Sequence, residues 1–361
     1  MRKIVFILAA VAALAACSKT QTSINVGPQG QKALALRGIT GIPTRSAVTG
    51  TTFPEGYAMR LSAWHNAGVN SGATQSSNYF DGIKFTKNDD GVWAEAKYWP
   101  IDPTSSLDFL AYACAGIADA SKGVVPTAVW GDTVARKVTL TVPGVWRTFD
   151  DILYGSANNQ FYVETGNPVL FRHAESAVVF ALKSSVEYDE TLNKGITVSS
   201  ISVDTVQWAG TLTVLNPAAA GGTGDVSAVW SLQDTVKDHV NVRVSSGNTG
   251  MDPAEPELAD LILTDEFIDL DDNPLGEGYA IFPEQTASRS FTIRYVLHNG
   301  FKSDGTTPLN NELEYVYKCT DTWKAGIKYI YKIEINLKEI TVAPSVQDWN
   351  DPVPPVDDIV L

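Results

Sequence analysis

The chain has 361 residues, of which 44% are hydrophobic and 19% charged, with 28 Gly, 18 Pro and 3 Met. That length suits two domains and that apolar content supports real cores, so a disordered chain is excluded, and so few Met beside so many Gly and Pro fit short strands rather than long helices. Lys and Arg total 27 against 41 Asp and Glu, a net charge of −14, which argues against a nucleic-acid binder because phosphate contact needs a basic surface.

Arg2 and Lys3 precede an apolar run from Val5 to Ala16 that is too short to cross roughly 30 Å of hydrocarbon as a helix. Leu14-Ala15-Ala16-Cys17 ends the run, and small residues before a Cys form the lipobox of bacterial lipoproteins. The pattern predicts a signal peptide over 1–16 and a lipidated Cys17, acylated by several chains. At about 0.8 kcal/mol per buried CH₂, such chains (palmitate among them) make a durable anchor in outer-membrane lipid. No later stretch is apolar over a spanning length.

Ser18 to Lys32 is polar and rich in Gly, Gln, Ser and Thr, so it reads as a linker; Ala33 to Leu36 is a small apolar island; Arg37 to Gly50 mixes Gly, Pro and Thr and holds Arg37 and Arg45. Beyond it, strand signals dominate. Val138, Leu140 and Val142 alternate with polar residues, as do Phe291, Ile293 and Tyr295, and as do Tyr329, Tyr331, Ile333, Ile335 and Leu337 against Lys332, Glu334 and Asn336. Successive side chains of a strand point to opposite faces, so this pattern gives sheets with one face in a core. Turn signals recur at Asn88-Asp89-Asp90-Gly91, Gly221-Gly222-Thr223-Gly224, Asp272-Asn273-Pro274 and His298-Asn299-Gly300. The expected class is all-β, with two tandem β-sandwiches over 46–166 and 167–349, split at Gly166-Asn167-Pro168, and a tail over 350–361.

Signals for chemistry are absent. His65, His173, His239 and His298 stand alone, outside any metal-ligand spacing, and no nucleophile elbow, P-loop or dinucleotide fingerprint occurs. In the acidic stretch Asp265 to Glu277, a calcium loop begun at Asp269 would put Pro274 where Gly is required and Ala280 where a bidentate Glu is required, so it reads as a solvated turn. Cys114 and Cys319 are far apart and read as buried free thiols of separate domains. The 9 Trp read mainly as core residues. No catalytic, cofactor-binding or metal-binding residue is named, and no enzyme or cofactor is expected.

The order of segments resembles the fimbrillins, or type V pilins. Thr44-Arg45-Ser46 with Thr52-Phe53-Pro54-Glu55-Gly56 is similar to the start of the family's first mature domain. Asp90-Gly91-Val92-Trp93, Tyr98-Trp99-Pro100, Leu107-Asp108-Phe109-Leu110-Ala111-Tyr112 and Asp150-Asp151-Ile152-Leu153-Tyr154-Gly155 follow in the family's order. Val169 to Phe180 resembles a further family segment, with Ala174-Glu175 departing from the usual Ala-Leu; Gly278 to Gln285 resembles another, with Glu284 inserted before the Gln. Trp323-Lys324-Ala325-Gly326, Tyr329-Ile330-Tyr331 and Asp348-Trp349 are similar to its closing strands.

The resemblance implies two transthyretin-like β-sandwiches and a subunit that reaches the cell surface as a lipoprotein precursor. It implies an N-terminal strand within about Ile24 to Ile42 that completes the first domain until an Arg-specific surface protease cuts after Arg45, with Arg37 as second candidate. Loss of that strand would expose a sheet edge, a template for a strand from another pilin subunit. The donor would be the tail after Trp349, through Val353, Val356, Ile359 and Leu361, although Pro352, Pro354 and Pro355 cannot donate ladder hydrogen bonds. The alternative for this end is that Glu339 to Trp349 closes its own domain. Head-to-tail contacts of this kind do not close, so they give a filament supporting adhesion and biofilm formation through host or bacterial receptors. A different class of function is a non-polymerising surface lipoprotein that binds glycan or host protein through exposed aromatics such as Trp99 and Trp208.

Overall fold

The structure is a computed structural model that describes residues 31–40, 57–67, 76–87, 93–120, 125–131, 136–142, 151–207, 209–216, 226–233, 237–244, 260–270, 279–336 and 340–348. Strands make up nearly all of its regular structure. The first are β1 (Ala33–Thr40), β2 (Ala58–Asn66), β3 (Ser76–Lys87), β4 (Trp93–Tyr98) and β5 (Ser106–Cys114), then one helical turn, α1 (Ala115–Ala118). There follow β6 (Thr127–Trp130), β7 (Lys137–Val142), β8 (Leu153–Gln160), β9 (Asn167–His173), β10 (Ser176–Ser184), β11 (Lys194–Gln207), β12 (Gly210–Leu215), β13 (Ser227–Leu232) and β14 (Lys237–Val244). The last are β15 (Leu261–Ile262), β16 (Ile268–Asp269), β17 (Tyr279–Phe282), β18 (Arg289–Phe301), β19 (Pro308–Cys319), β20 (Ile327–Ile335) and β21 (Ile340–Asp348). No helix among the described residues is long and apolar enough to cross a membrane.

Two cores organise these strands. Seven strands close a barrel in the order β1-β4-β3-β2-β5-β8-β9, and a four-stranded sheet, β13-β12-β7-β6, packs into the same core. Every residue of β5 is buried, and a strand covered on both faces loses the usual alternation. Asp108, in the middle of that strand, is ion-paired with buried Arg136, which also donates to Asn66. The second core lies between the sheet β16-β10-β20-β21 and the sheet β14-β11-β18-β19. Aromatic rings fill it: Phe291 lies 4.6 Å from Tyr331 and 5.1 Å from Phe180, centroid to centroid, in edge-on contacts. Tyr331 Oη accepts from Trp323 Nε1 at 2.9 Å and donates to Asp321 Oδ2 at 2.8 Å, and burial first of all pushes its phenol well above the ordinary range.

The alternation expected for residues 329–335 is present, with Tyr329, Tyr331, Ile333 and Ile335 inside. Phe291 and Ile293 are inside as well, and so are Val138 and Leu140. Cys114 and Cys319 are free, buried thiols in the first and second cores respectively. The acidic stretch supplies β16 and buries Leu270 in the second core; 271–278 lie outside the described residues.

The expected split at Gly166-Asn167-Pro168 is corrected by the sheet pairing. β9 pairs antiparallel with β8 and parallel with β1, so these residues turn the chain within the first barrel. Gly166 has φ +88, which suits Gly in a turn, and its amide donates to Val163 O at 3.0 Å. The chain then builds β10 and β11 in the second core and returns: β12 pairs with β7, and Leu212 and Val214 enter the first core. Neither core is a single stretch of sequence, so ranges such as 46–166 and 167–349 do not separate them.

Candidate functional site: the slot held by the first strand

The apolar island at Ala33 to Leu36 is the start of β1. Its alternation is short but complete: Leu34 and Leu36 are fully buried in the first core, and Arg37 is exposed. Burying a Leu contributes about 1.5–3 kcal/mol, so this pair accounts for much of what holds the strand. The first half of β1 pairs antiparallel with β4, Ala33 opposite Tyr98 and Leu36 opposite Trp93. The second half pairs parallel with β9, from Leu36 opposite Asn167 to Thr40 opposite Phe171. β1 therefore joins the two flanking strands that no other described strand brings together, and it closes the barrel.

Where β1 begins, its approach is fixed by the backbone of Trp99. The Trp99 amide donates to Lys32 O at 2.8 Å, and Gln31 Nε2 donates to Trp99 O at 3.1 Å. Lys32 Nζ lies 4.9 Å above the ring of Tyr162, which meets the buried Trp99 edge-on at 6.4 Å. Around this mouth, three large apolar side chains face solvent: Ile101 at 64% exposure, Phe161 at 45% and Val163 at 43%. On the wall of the slot, Gly155 of β8 lets β9 come close, since a Cβ there would stand 2.4 Å from Leu170 O.

β1 lies within the segment expected to supply an N-terminal strand, about Ile24 to Ile42, whose residues 24–30 and 41–42 lie outside the described residues, and it pairs with β4 and β9. Arg37, the second cleavage candidate, has its backbone within β1 opposite Pro168 and its side chain exposed. Arg45 and Cys17 lie outside the described residues, as do Val353, Val356, Ile359 and Leu361. β21 pairs along its length with β20, so the segment from Ile340 to Asp348 does close its own sheet. Trp99, named as a glycan platform, is corrected to a core residue, 3% exposed and packed edge-on to Phe109 at 6.0 Å; Trp208 lies outside the described residues. The sequence reading missed Ile101, Phe161 and Val163, which carry no motif; the adjacent turn signal at Gly166-Asn167-Pro168 was the available clue.

His173 and His298 are structural in their contacts, and the side chain of His239 lies outside the described residues. His173 Nδ1 lies 2.8 Å from Asp151 Oδ2 in a buried pair, and His298 shares hydrogen bonds with Thr197, Asn193 and Asn310. Among the described residues, no group of three or more His, Cys, Asp or Glu is placed to hold a metal ion.

Comparison with known proteins gives a family and a fold. No curated protein matches the chain. Among solved structures, a fimbrial protein from Bacteroides vulgatus is similar at 16% identity, covering 88% of this chain and 99% of its own, with a TM-score of 0.51. The tip fimbrial protein Mfa3 from Porphyromonas gingivalis, with a C-terminal truncation, is similar at 11% identity over 87% of this chain and 100% of its own, with a TM-score of 0.31. The model of the fimbrillin-like family matches residues 44–349, from the threonine before Arg45 to the tryptophan after β21. A match of that extent, on an all-β chain with this strand order, makes the chain a member of the fimbrillin-like family.

Proposed function

We propose that this protein is a fimbrial, adhesion-related subunit of the cell surface, exported as a precursor in which β1 is a temporary occupant of its own barrel. The observation that carries the reading is the position of β1. It fills the slot between β4 and β9 with Leu34 and Leu36, and the chain that ties it to β2 contains Arg45. Cleavage after Arg45 by an Arg-specific surface protease leaves β1 held only by its ladders and its two Leu. Each ladder bond contributes about 0.5–1.5 kcal/mol net, and the apolar burial supplies the larger part. Departure of β1 leaves unpaired backbone on β4 and β9 and an apolar slot, and another pilin subunit fills both with its C-terminal tail.

In this reading Cys17 carries the acyl chains that hold the precursor in the outer membrane, and they leave with β1. Val353, Val356, Ile359 and Leu361 are the candidate donor side chains. The result is a heterologous contact that repeats without closing, a fimbrium. The test is N-terminal sequencing of the surface protein together with electron microscopy of purified chain cut after Arg45. A start at Ser46 and filaments from cut chain are expected. Cut chain that keeps β1 and stays monomeric sinks the proposal.

A further inference from the structure

The proline-rich tail is an awkward ladder strand, and the mouth of the barrel resolves the difficulty. Among the described side chains of β1, Leu34 and Leu36 are the two in the core. In the tail, Ile359 and Leu361 have the same spacing. Setting Ile359 at Leu34 and Leu361 at Leu36 buries both and leaves Asp358 and Val360 at the half-buried positions of Ala33 and Ala35. The shift that sets Val356 at Leu34 puts Asp358 at Leu36, and burying an unpaired carboxylate costs far more than a side chain of that size gains. In the favourable register Asp357 stands at Lys32, whose contribution is a carbonyl accepting from the Trp99 amide, and any residue supplies a carbonyl.

That register places Pro352-Val353-Pro354-Pro355 ahead of the position of Gln31, outside the ladder, so no amide is missed. It places them at the mouth, beside Ile101, Phe161 and Val163, and beside the Tyr162 ring from which Lys32 would have departed. Proline-rich chain favours the extended polyproline helix, advancing about 3.1 Å per residue, and docks on aromatic and apolar surface with little ordering cost. Four residues reach about 12 Å, a fair span for a patch of this size.

We propose that Ile101, Phe161, Tyr162 and Val163 form a docking surface for residues 352–355 of a second copy of the chain, whose following residues enter the slot in the same direction as β1. This rests on the strand-exchange reading above. It further assigns a polarity, antiparallel to β4 with Leu361 reaching the first β9 position opposite Asn167, and so decides at which end of the barrel the neighbour's body lies.

The test uses the full chain cut after Arg45 by limited trypsin treatment, with release of β1 followed by mass spectrometry. The probe is a synthetic peptide of residues 349–361 bearing a photo-crosslinker at its N-terminus and a dye. Binding is expected, with crosslinks mapping to residues 161–163. The pair Ile101→Asp and Phe161→Asp should weaken binding at least tenfold. A peptide with its three Pro changed to Ser should lose a similar factor, and combining the two changes should add little. Both substituted positions face solvent, and circular dichroism checks that the variants fold. Undiminished binding by the Asp variant, or crosslinks beside Phe171 at the far end of β1, overturns this inference and leaves strand exchange standing. No binding at all, or retention of β1 after the cut, overturns strand exchange and this inference with it.

Discussion

β1 and β21 are the first and last strands among the described residues, and they are held in opposite ways. β1 is paired on both sides, to β4 and β9, with two Leu deep in the first core. β21 is paired on one side, to β20, and its Ile340 and Val342 are only half-buried against the second core. Its Pro344 stands opposite Tyr331 in that ladder, a residue tolerated at a sheet edge, and its Val346 is 69% exposed. The strand earliest in sequence is thus an interior member, whereas the latest is a border. Losing an interior member opens a core, whereas losing a border strand trims a sheet.

The comparison breaks most readily at β1. Leu34→Ala with Leu36→Ala should cost about 2–5 kcal/mol per site in urea unfolding, by lost burial and the cavities left behind. Ile340→Ala with Val342→Ala should cost clearly less, and equal losses would erase the distinction. Next in size is Asp108→Ala, which leaves the buried Arg136 without its carboxylate; a broken buried pair costs about 3–5 kcal/mol, and the unfolding midpoint should fall accordingly. Tyr331→Phe removes the hydroxyl that joins Trp323 and Asp321 in the second core, for about 1–3 kcal/mol, and should leave the first core's tryptophan signals unchanged. Val346→Ala should stay within about 0.5 kcal/mol, as expected of an exposed site.

The smallest effect concerns pH at the β18–β19 turn. Asp304 accepts from the Thr307 hydroxyl and from the amides of Thr307 and Thr306, which hold its carboxyl down at about 2. A folded value below the unfolded one means that the stabilisation is complete above the ordinary carboxylate range and fades as pH falls from about 4 toward 2. Asp304→Asn should quicken hydrogen exchange of the Thr306 and Thr307 amides at neutral pH, and the difference from the parent chain should vanish near pH 2.

The all-β class was legible because half-buried strands must alternate, and β20 does so from Tyr329 to Ile335. β1 was legible for a narrower reason: an apolar Ala33–Leu36 between polar stretches has to be buried somewhere. The grouping of strands into cores was not legible. Gly166-Asn167-Pro168 has the composition of a linker, and a linker and a tight hairpin turn draw on the same residues. Nor does anything local in Gly210 to Leu215 say that the strand pairs with β7 some seventy positions earlier, since both possible cores accept alternating Leu and Val. The mouth of the slot was hidden for a similar reason: Ile101 and Phe161 are far apart in sequence, and it is the packing of their neighbours Trp99 and Tyr162 that brings their segments together.

The return of the chain at β12 and β13 has a consequence for biogenesis. Because the sheet on the barrel is finished by Ser227–Leu232, the first core remains incomplete until that hairpin is in place, and of the described strands of the second core β10 and β11 alone precede it. The first core can thus be finished while the second is barely begun, with β10 and β11 waiting for partners that follow residue 236. β10 pairs with β20 about 150 positions later, and contacts this distant along the polymer form slowly. Throughout that interval β10 and β11 are members of unfinished sheets, and unpaired strand edges of that kind favour aggregation.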